Sequence, residues 1–288
     1  MKIFVSIVIG ICLIFAGCED TNLQLATEAG VEAVKAVTLS DREVAHLAAR
    51  ASMASDRQHR LAGPGSPYGR RLSRLTRNLP DVDGQTWDFR VYLADPVNAF
   101  AMADGSIRIY SGLMDRMADD ELLFVIGHEM GHVVEKHSKK KLMMAYAASA
   151  LRKGIASQDN AAGAIAGSAL GGFVQTLANA QFSQKEERAA DDYGLAFLKA
   201  LGYSHKAATK TAARALENLA GASSAHSLLA SHPAPDKRAK RMRSAPEQKD
   251  PSLTGELKLT GKKWVEKAKS KIRDIRREHL NNSESDNQ

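Results

Sequence analysis

The residues able to do chemistry gather in Val125-Ile126-Gly127-His128-Glu129-Met130-Gly131-His132-Val133-Val134. On a helix, side chains four apart stand on one face a turn apart, so the imidazoles of His128 and His132 can reach one zinc ion. Glu129 lies between them, close enough to take a proton from a water at the metal without being needed as a ligand. His-Glu-x-x-His also arises by chance. The zinc reading therefore requires a third protein ligand elsewhere in the chain and an open fourth position.

The best candidate for that ligand lies in Phe182-Ser183-Gln184-Lys185-Glu186-Glu187-Arg188-Ala189-Ala190-Asp191-Asp192. Ser183 with Glu186 fits a capping box, which gives Glu186 a local structural duty and leaves Glu187 free to project into a site. Asp191, four residues on, shares the face of Glu187. It can accept the outer ring N–H of a ligand histidine, fixing tautomer and orientation. Read alone, the segment is a solvated acidic helix; beside His-Glu-x-x-His the ligand reading prevails. His137 is nine residues from His128, about 180° around a continuous helix, so it is expected to pack or cap rather than join the metal. His46, His59, His205 and His226 have no ligand-like spacing. His232 stands in Ser231-His232-Pro233-Ala234-Pro235-Asp236-Lys237-Arg238, a rigid turn ahead of a basic helix.

The elements that must hold these residues can be read around them. Asp119 fits an N-cap, and Asp120 and Glu121 suit the positive end of the dipole. Leu122, Val125, Ile126 and Val133 form an apolar stripe, so one helix carries the motif. Upstream, Trp87-Asp88-Phe89-Arg90-Val91-Tyr92-Leu93 alternates as a half-buried strand does. Apolar runs at 97–103 and 107–110 flank Asp104-Gly105, a hairpin signal. Val44, Leu47, Ala48 and Ala51 give a helix over 39–53. After the break at Ala62-Gly63-Pro64-Gly65-Ser66-Pro67, Tyr68, Leu72, Leu75 and Leu79 resume helical spacing. Behind the motif, 143–180 is rich in alanine and glycine, and 161–174 has no charge. Close helix–helix packing, a flap over the cleft and a partner surface are all compatible with that composition.

With 288 residues, 44% hydrophobic and 25% charged, the chain suits one globular core with appendages and is not too polar to fold. The formal charge of +7 permits an anionic partner, although the excess sits largely in the tail. Two cysteines, Cys12 and Cys18, both near the N-terminus, exclude a disulfide framework. Residues 1–17 place Lys2 before an apolar run and end Phe15-Ala16-Gly17-Cys18. This is the pattern of a bacterial lipoprotein signal with Cys18 as the lipidated first residue; an uncleaved anchor is the alternative. Residues 18–38 are expected to be a tether of weak helical character and 39–245 the catalytic domain. In the basic tail, 246–288, eight Lys and Arg residues between 262 and 277 stand against Glu266 and Asp274. Trp264, Ala268, Ile272 and Ile275 keep helical spacing there. The segment reads as a basic amphipathic helix, either docked on the domain or lying on anionic lipid.

Asn98-Ala99-Phe100-Ala101, Tyr110-Ser111-Gly112-Leu113-Met114, the motif from His128 to His132, Glu187 with Asp191, and His232-Pro233 with Arg238 together resemble one known family. It is the HtpX-type, CAAX-prenyl-protease-like family of zinc metallopeptidases, and the resemblance runs over 39–243. It implies an α+β, predominantly helical zincin-like fold with a small, mainly antiparallel sheet before the active-site helix. It also implies one zinc per chain held by His128, His132 and Glu187, Glu129 as general base, and Asp191 behind the ligands. Asn98, Ala99, Phe100 and Ala101 match the edge strand on which a substrate peptide lies, and an unpaired strand edge does offer main-chain hydrogen bonds. His232 matches a histidine near the metal that either donates to the oxyanion or fills the open position and holds the enzyme latent. The implied function is a zinc metalloendopeptidase of the bacterial cell envelope acting on unfolded or misassembled proteins. Lipid at Cys18, followed by Glu19 rather than aspartate, would place it on the periplasmic face of the outer membrane; nucleic acid is not an expected partner. The competing reading is an envelope assembly factor or chaperone that binds extended chains, with proteolysis latent or absent.

Overall fold

A computed structural model describes residues 23–77, 79, 85–156, 181–221 and 228–246. The leader with Cys12 and Cys18, the uncharged run 161–174, His226 and the basic tail lie outside the described residues. In chain order the helices are α1 (Leu23–Thr38), α2 (Asp41–Gln58), α3 (Pro67–Thr76), α4 (Ser111–Arg116), α5 (Asp119–Val134), α6 (His137–Ala156), α7 (Gln184–Ala200), α8 (His205–Ala220) and α9 (Pro235–Arg243). A 3-10 turn at Leu228–Ala230 precedes α9, and strands β1 (Asp88–Tyr92), β2 (Ala99–Ala101) and β3 (Ser106–Tyr110) lie between α3 and α4. Among these, no helix is long and apolar enough to cross a membrane.

The chain divides into two compact units, 1–44 with 139–180, and 45–138 with 181–288. In the first, α1 and the body of α6 run antiparallel. Lys153 Nζ reaches Glu28 and Glu32 at 2.9 Å each, and Lys139 reaches Asp41 at 2.6 Å. Part of the stretch expected to be a weakly helical tether is thus a 16-residue helix, α1. Tertiary partners supplied what its short-range signals lacked.

In the second unit, α5 is the central element. Leu122, Phe124, Val125, Ile126 and Met130 are each at most 2% exposed, and each such side chain stabilises the fold by about 1.5–3 kcal/mol. The N-cap of α5 is Ala118, with Asp119 one residue inside the helix. Asp119 is drawn away from capping by Arg71 and Arg74 of α3, at 2.7 and 2.8 Å. Glu121 does the capping instead, accepting the Ala118 N–H at 3.0 Å. Arg214, Thr211 and Asn218 of α8 bind Asp120 and Glu121, fixing α8 against the start of α5.

The fold is α+β and predominantly helical, with a small sheet ahead of α5. The hairpin is as expected: β2 and β3 pair antiparallel about Gly105, whose φ of 88° suits glycine. The sheet as a whole is mixed rather than mainly antiparallel, since β1 joins β3 in parallel and the order is β1–β3–β2. Alternation along a strand tells which face is buried but not which neighbour it takes, so this pairing was not legible in the pattern. Tyr110 N–H donates to Asn98 C=O and Met102 N–H to Ser106 C=O. Ala99 and Ala101 therefore turn their main-chain groups to the opposite edge. The sheet face against α2 is polar yet closed. Arg108, 1% exposed, forks onto Asp56 at 2.8 and 3.0 Å, and Tyr92 donates to the same carboxylate. Burial raises the pKa of Asp56, but the bonds from Arg108 and Tyr92 outweigh it and hold the carboxyl below its ordinary value.

Candidate metal centre

Two helices and one turn deliver the centre. From α5, His128 and His132 point their Nε2 atoms at one another across 3.1 Å. From α7, Glu187 brings Oε1 to 3.4 Å from His132 Nε2 and Oε2 to 3.8 Å from His128 Nε2. From the turn before α9, His232 sets Nδ1 at 3.2 Å from His128 Nε2 and 2.9 Å from Glu187 Oε1. One donor atom from each of the four lies within 4.8 Å of the others, and all four side chains are buried. Tetrahedral zinc with bonds of about 2.0–2.1 Å places its donors roughly 3.3 Å apart, so the set is already near the required spacing.

Local sequence explains why α7 arrives in register. Ser183 Oγ accepts the Glu186 N–H while Glu186 accepts the Ser183 N–H, the expected capping box, and Glu187 is left facing inward. The two helices approach closely enough to share ligands because glycine stands at their contact. A Cβ on Gly131 would sit 2.9 Å from Tyr193 Cβ, and one on Gly194 would sit 3.2 Å from the His128 backbone nitrogen.

The outer nitrogens of the ligand rings are also held. His128 Nδ1 lies 3.1 Å from Asp191 Oδ1, the contact the spacing of Glu187 and Asp191 led one to expect. Arg238 clasps Asp191 with Nε and Nη2 at 3.0 and 2.6 Å and touches Glu187 Oε2 with Nη1. Burial works to raise the pKa of Asp191, yet Arg238 and His128 bring it down to about 2. Glu187, despite the same penalty, is held well below the carboxylate range by His232 and His132. Burial pushes His132 well below the ordinary histidine value, so it presents the neutral imidazole that a metal binds. Glu129 is 2% exposed; its Oε1 has no hydrogen-bond partner among the described residues and lies 3.5 Å from His232 Nε2.

Three residues gained significance beyond the sequence pattern. A continuous helix would set His137 on its far side, but the helix is not continuous. It ends at Val134, Lys136 adopts φ 57°, and α6 starts afresh at His137, whose Nδ1 lies 3.0 Å from His132 Nδ1. His137 still does not belong to the four-donor cluster. Phe182 lays its ring on His132, centroids 3.9 Å apart, and its N–H donates to Ser231 C=O next to His232. No periodic signal marks it. Arg238 was part of a motif without a role; only a buried pair of acids reveals its partners. Two further histidines stand apart, His59 stacking on Tyr92 at 4.2 Å and His205 Nε2 meeting Ala245 C=O at 3.0 Å. The stretch Asn98 to Ala101 forms the sheet edge described above. One end of that edge is taken where Leu228 N–H donates to Val97 C=O at 3.1 Å.

The profile of peptidase family M48 matches residues 69–245. The chain is 39% identical over 199 residues to metalloprotease LoiP of Escherichia coli (strain K12), covering 69% of this chain and 79% of that protein. It is 34% identical over 236 residues to metalloprotease YcaL of the same organism, covering 80% and 91%. A putative beta-barrel assembly-enhancing protease of Vibrio cholerae is 28% identical over 152 residues, 49% of this chain and 31% of that protein.

Proposed function

The chain belongs to peptidase family M48 and is a zinc metalloendopeptidase; from that premise we propose that it works in the bacterial cell envelope, cleaving unfolded or misassembled proteins. The observation that carries the site assignment is the buried cluster of His128, His132, Glu187 and His232 with Glu129 beside it, its Oε1 without a hydrogen bond among the described residues and 3.5 Å from His232 Nε2. A buried carboxylate oxygen that lacks a hydrogen bond is costly unless a proton or a water fills the place it faces, which fits a base next to a metal. Zinc bound by His128, His132 and Glu187 supplies polarisation of the scissile carbonyl and lowers the pKa of a water to about 7. Glu129 takes the proton of the attacking water and delivers it to the leaving amine. Asp191 and Arg238 keep His128 and Glu187 aimed. Ala99 and Ala101, with outward main-chain groups, receive the substrate backbone as an added strand, beside Asn98 and Phe100.

His232 brings Nδ1 among the same donor atoms, 3.2 Å from His128 Nε2 and 2.9 Å from Glu187 Oε1, so it would serve as a fourth protein donor and close a set that a working site leaves open. In that role His232 would keep the enzyme latent until displaced. This is also the observation favouring the second reading, a binder of extended chains whose proteolysis stays switched off. Location rests on the leader pattern with Cys18, and on a relative named for assembly of β-barrels.

Cleavage of an unfolded protein by the full chain separates these readings. Glu129→Gln should retain zinc and lose about 10²–10⁴ in rate, since a base is not a ligand. His232→Ala should retain zinc and cleave faster than wild type; slower cleavage would make it a donor to the oxyanion instead. Binding without cleavage in both wild type and His232→Ala would leave only the chaperone reading.

A further inference from the structure

We propose that His137 is a positioning residue for the metal centre, the partner that fixes the ring of His132 as Asp191 fixes that of His128. The inference rests on the metal-centre reading above. Metal-binding imidazoles perform well only when the second ring nitrogen is held. His128 turns Nε2 to the cluster and Nδ1 to the Asp191 carboxylate at 3.1 Å. His132 likewise turns Nε2 inward, and its Nδ1 meets His137 Nδ1 at 3.0 Å. With Nε2 free for the metal, the proton of His132 sits on Nδ1 and donates to His137 Nδ1, which sets His137 in the Nε2–H tautomer. The two ring planes stand at 69°, with centroids 5.0 Å apart, so the contact is edge-on through the nitrogens and not a stack.

The backbone is shaped for this contact. In an uninterrupted helix, five residues on from His132 is about 140° around the axis, out of reach. The chain breaks instead. Lys136, a residue with a β-carbon, takes φ 57° in the left-handed region, and the first residue of α6 is His137 itself. His137 is 8% exposed, and Phe182 covers the pair, its ring centroid 3.9 Å from that of His132 and 6.3 Å from that of His137. Water is thereby kept from replacing the imidazole as acceptor.

The choice of acceptor has a consequence for the metal. Asp191 is an anion and its bond to His128 strengthens that ligand; His137 is neutral in this role and strengthens His132 less. The two histidine ligands are therefore unequal, and a fourth carboxylate is kept away from a centre that already holds Glu129, Glu187 and Asp191.

The test measures zinc affinity by competition with a chelating indicator, using the full chain. Alongside it go the visible spectrum of the Co(II)-substituted protein and denaturant unfolding of the metal-free form. His137→Phe fills the volume without an acceptor and should lose about 10–100-fold in zinc affinity. His137→Asn places a carbonyl oxygen where Nδ1 stands and should hold affinity within a few-fold, with a wild-type-like Co(II) spectrum. If His137→Phe does not fold, His137→Gln takes its place, because its oxygen falls at the Nε2 position and should fail to rescue. Wild-type affinity in His137→Phe, or equal losses in His137→Asn and His137→Phe, would overturn the proposal. Absence of tight zinc binding by the wild type would overturn the metal-centre reading itself.

Discussion

Replacing Gly131 by alanine tests whether the spacing of α5 and α7 sets the metal centre. The new Cβ would lie 2.9 Å from Tyr193 Cβ and 3.1 Å from Ala190 Cα, both rigidly attached to the backbone of α7. Carbon atoms rest at about 3.5–4.0 Å, so the helices must part by roughly 0.6–1 Å at this level. Metal–donor distances tolerate only about 0.2 Å, and His132 is the very next residue on α5 while Glu187 precedes Ala190 by less than a turn. Two opposed effects act on stability. Alanine in a helix interior is favoured over glycine by about 1 kcal/mol, and overpacking costs about 1–3 kcal/mol. The metal-free protein should therefore change by between about 0 and −2 kcal/mol, measured by urea unfolding. Zinc affinity, measured by chelator competition, should fall by at least tenfold, about 1.4 kcal/mol. A variant stabilised by about 1 kcal/mol with unchanged zinc affinity would show that the helices are not held at contact distance and that the argument is wrong.

Two further outcomes are expected. Arg238→Met leaves Asp191 and Glu187, both at most 1% exposed, without their cation. The metal-free protein should lose about 3–5 kcal/mol in urea unfolding, and zinc should restore part of it; an unmoved midpoint without zinc would refute the pairing. Cys18→Ala should abolish incorporation of labelled fatty acid into the protein in cells, and label that persists would refute lipidation at that residue.

The parts of the centre legible in the sequence were those fixed by helical periodicity and capping. His128 with His132, and Glu187 with Asp191, are separations of four on regular helices, and the Ser183–Glu186 box tells which of two adjacent glutamates is free. What escaped depends on irregular backbone or distant partners. The break at Lys136 carries no glycine or proline to announce it, so His137 could only be placed by assuming the helix continued. Arg238 lies 47 residues from Asp191, and only packing brings them together. The same limit explains the strands: alternation found β1 and the hairpin, but the parallel seat of β1 on β3 follows from a crossover that local pattern does not encode.

The donors of the metal centre all lie in one unit, yet between His132 and Glu187 the chain leaves for the other unit over 139–180. In polymer terms the centre closes a loop of 187 − 132 = 55 positions. The entropy of closing a flexible loop grows only with the logarithm of its length, so flexible residues inserted into the excursion would cost just about 0.6 kcal/mol per doubling of its length. Its length can therefore vary between one M48 chain and the next while the donors stay put. Surveys of insertions and deletions should find them tolerated there and not within α5 or α7.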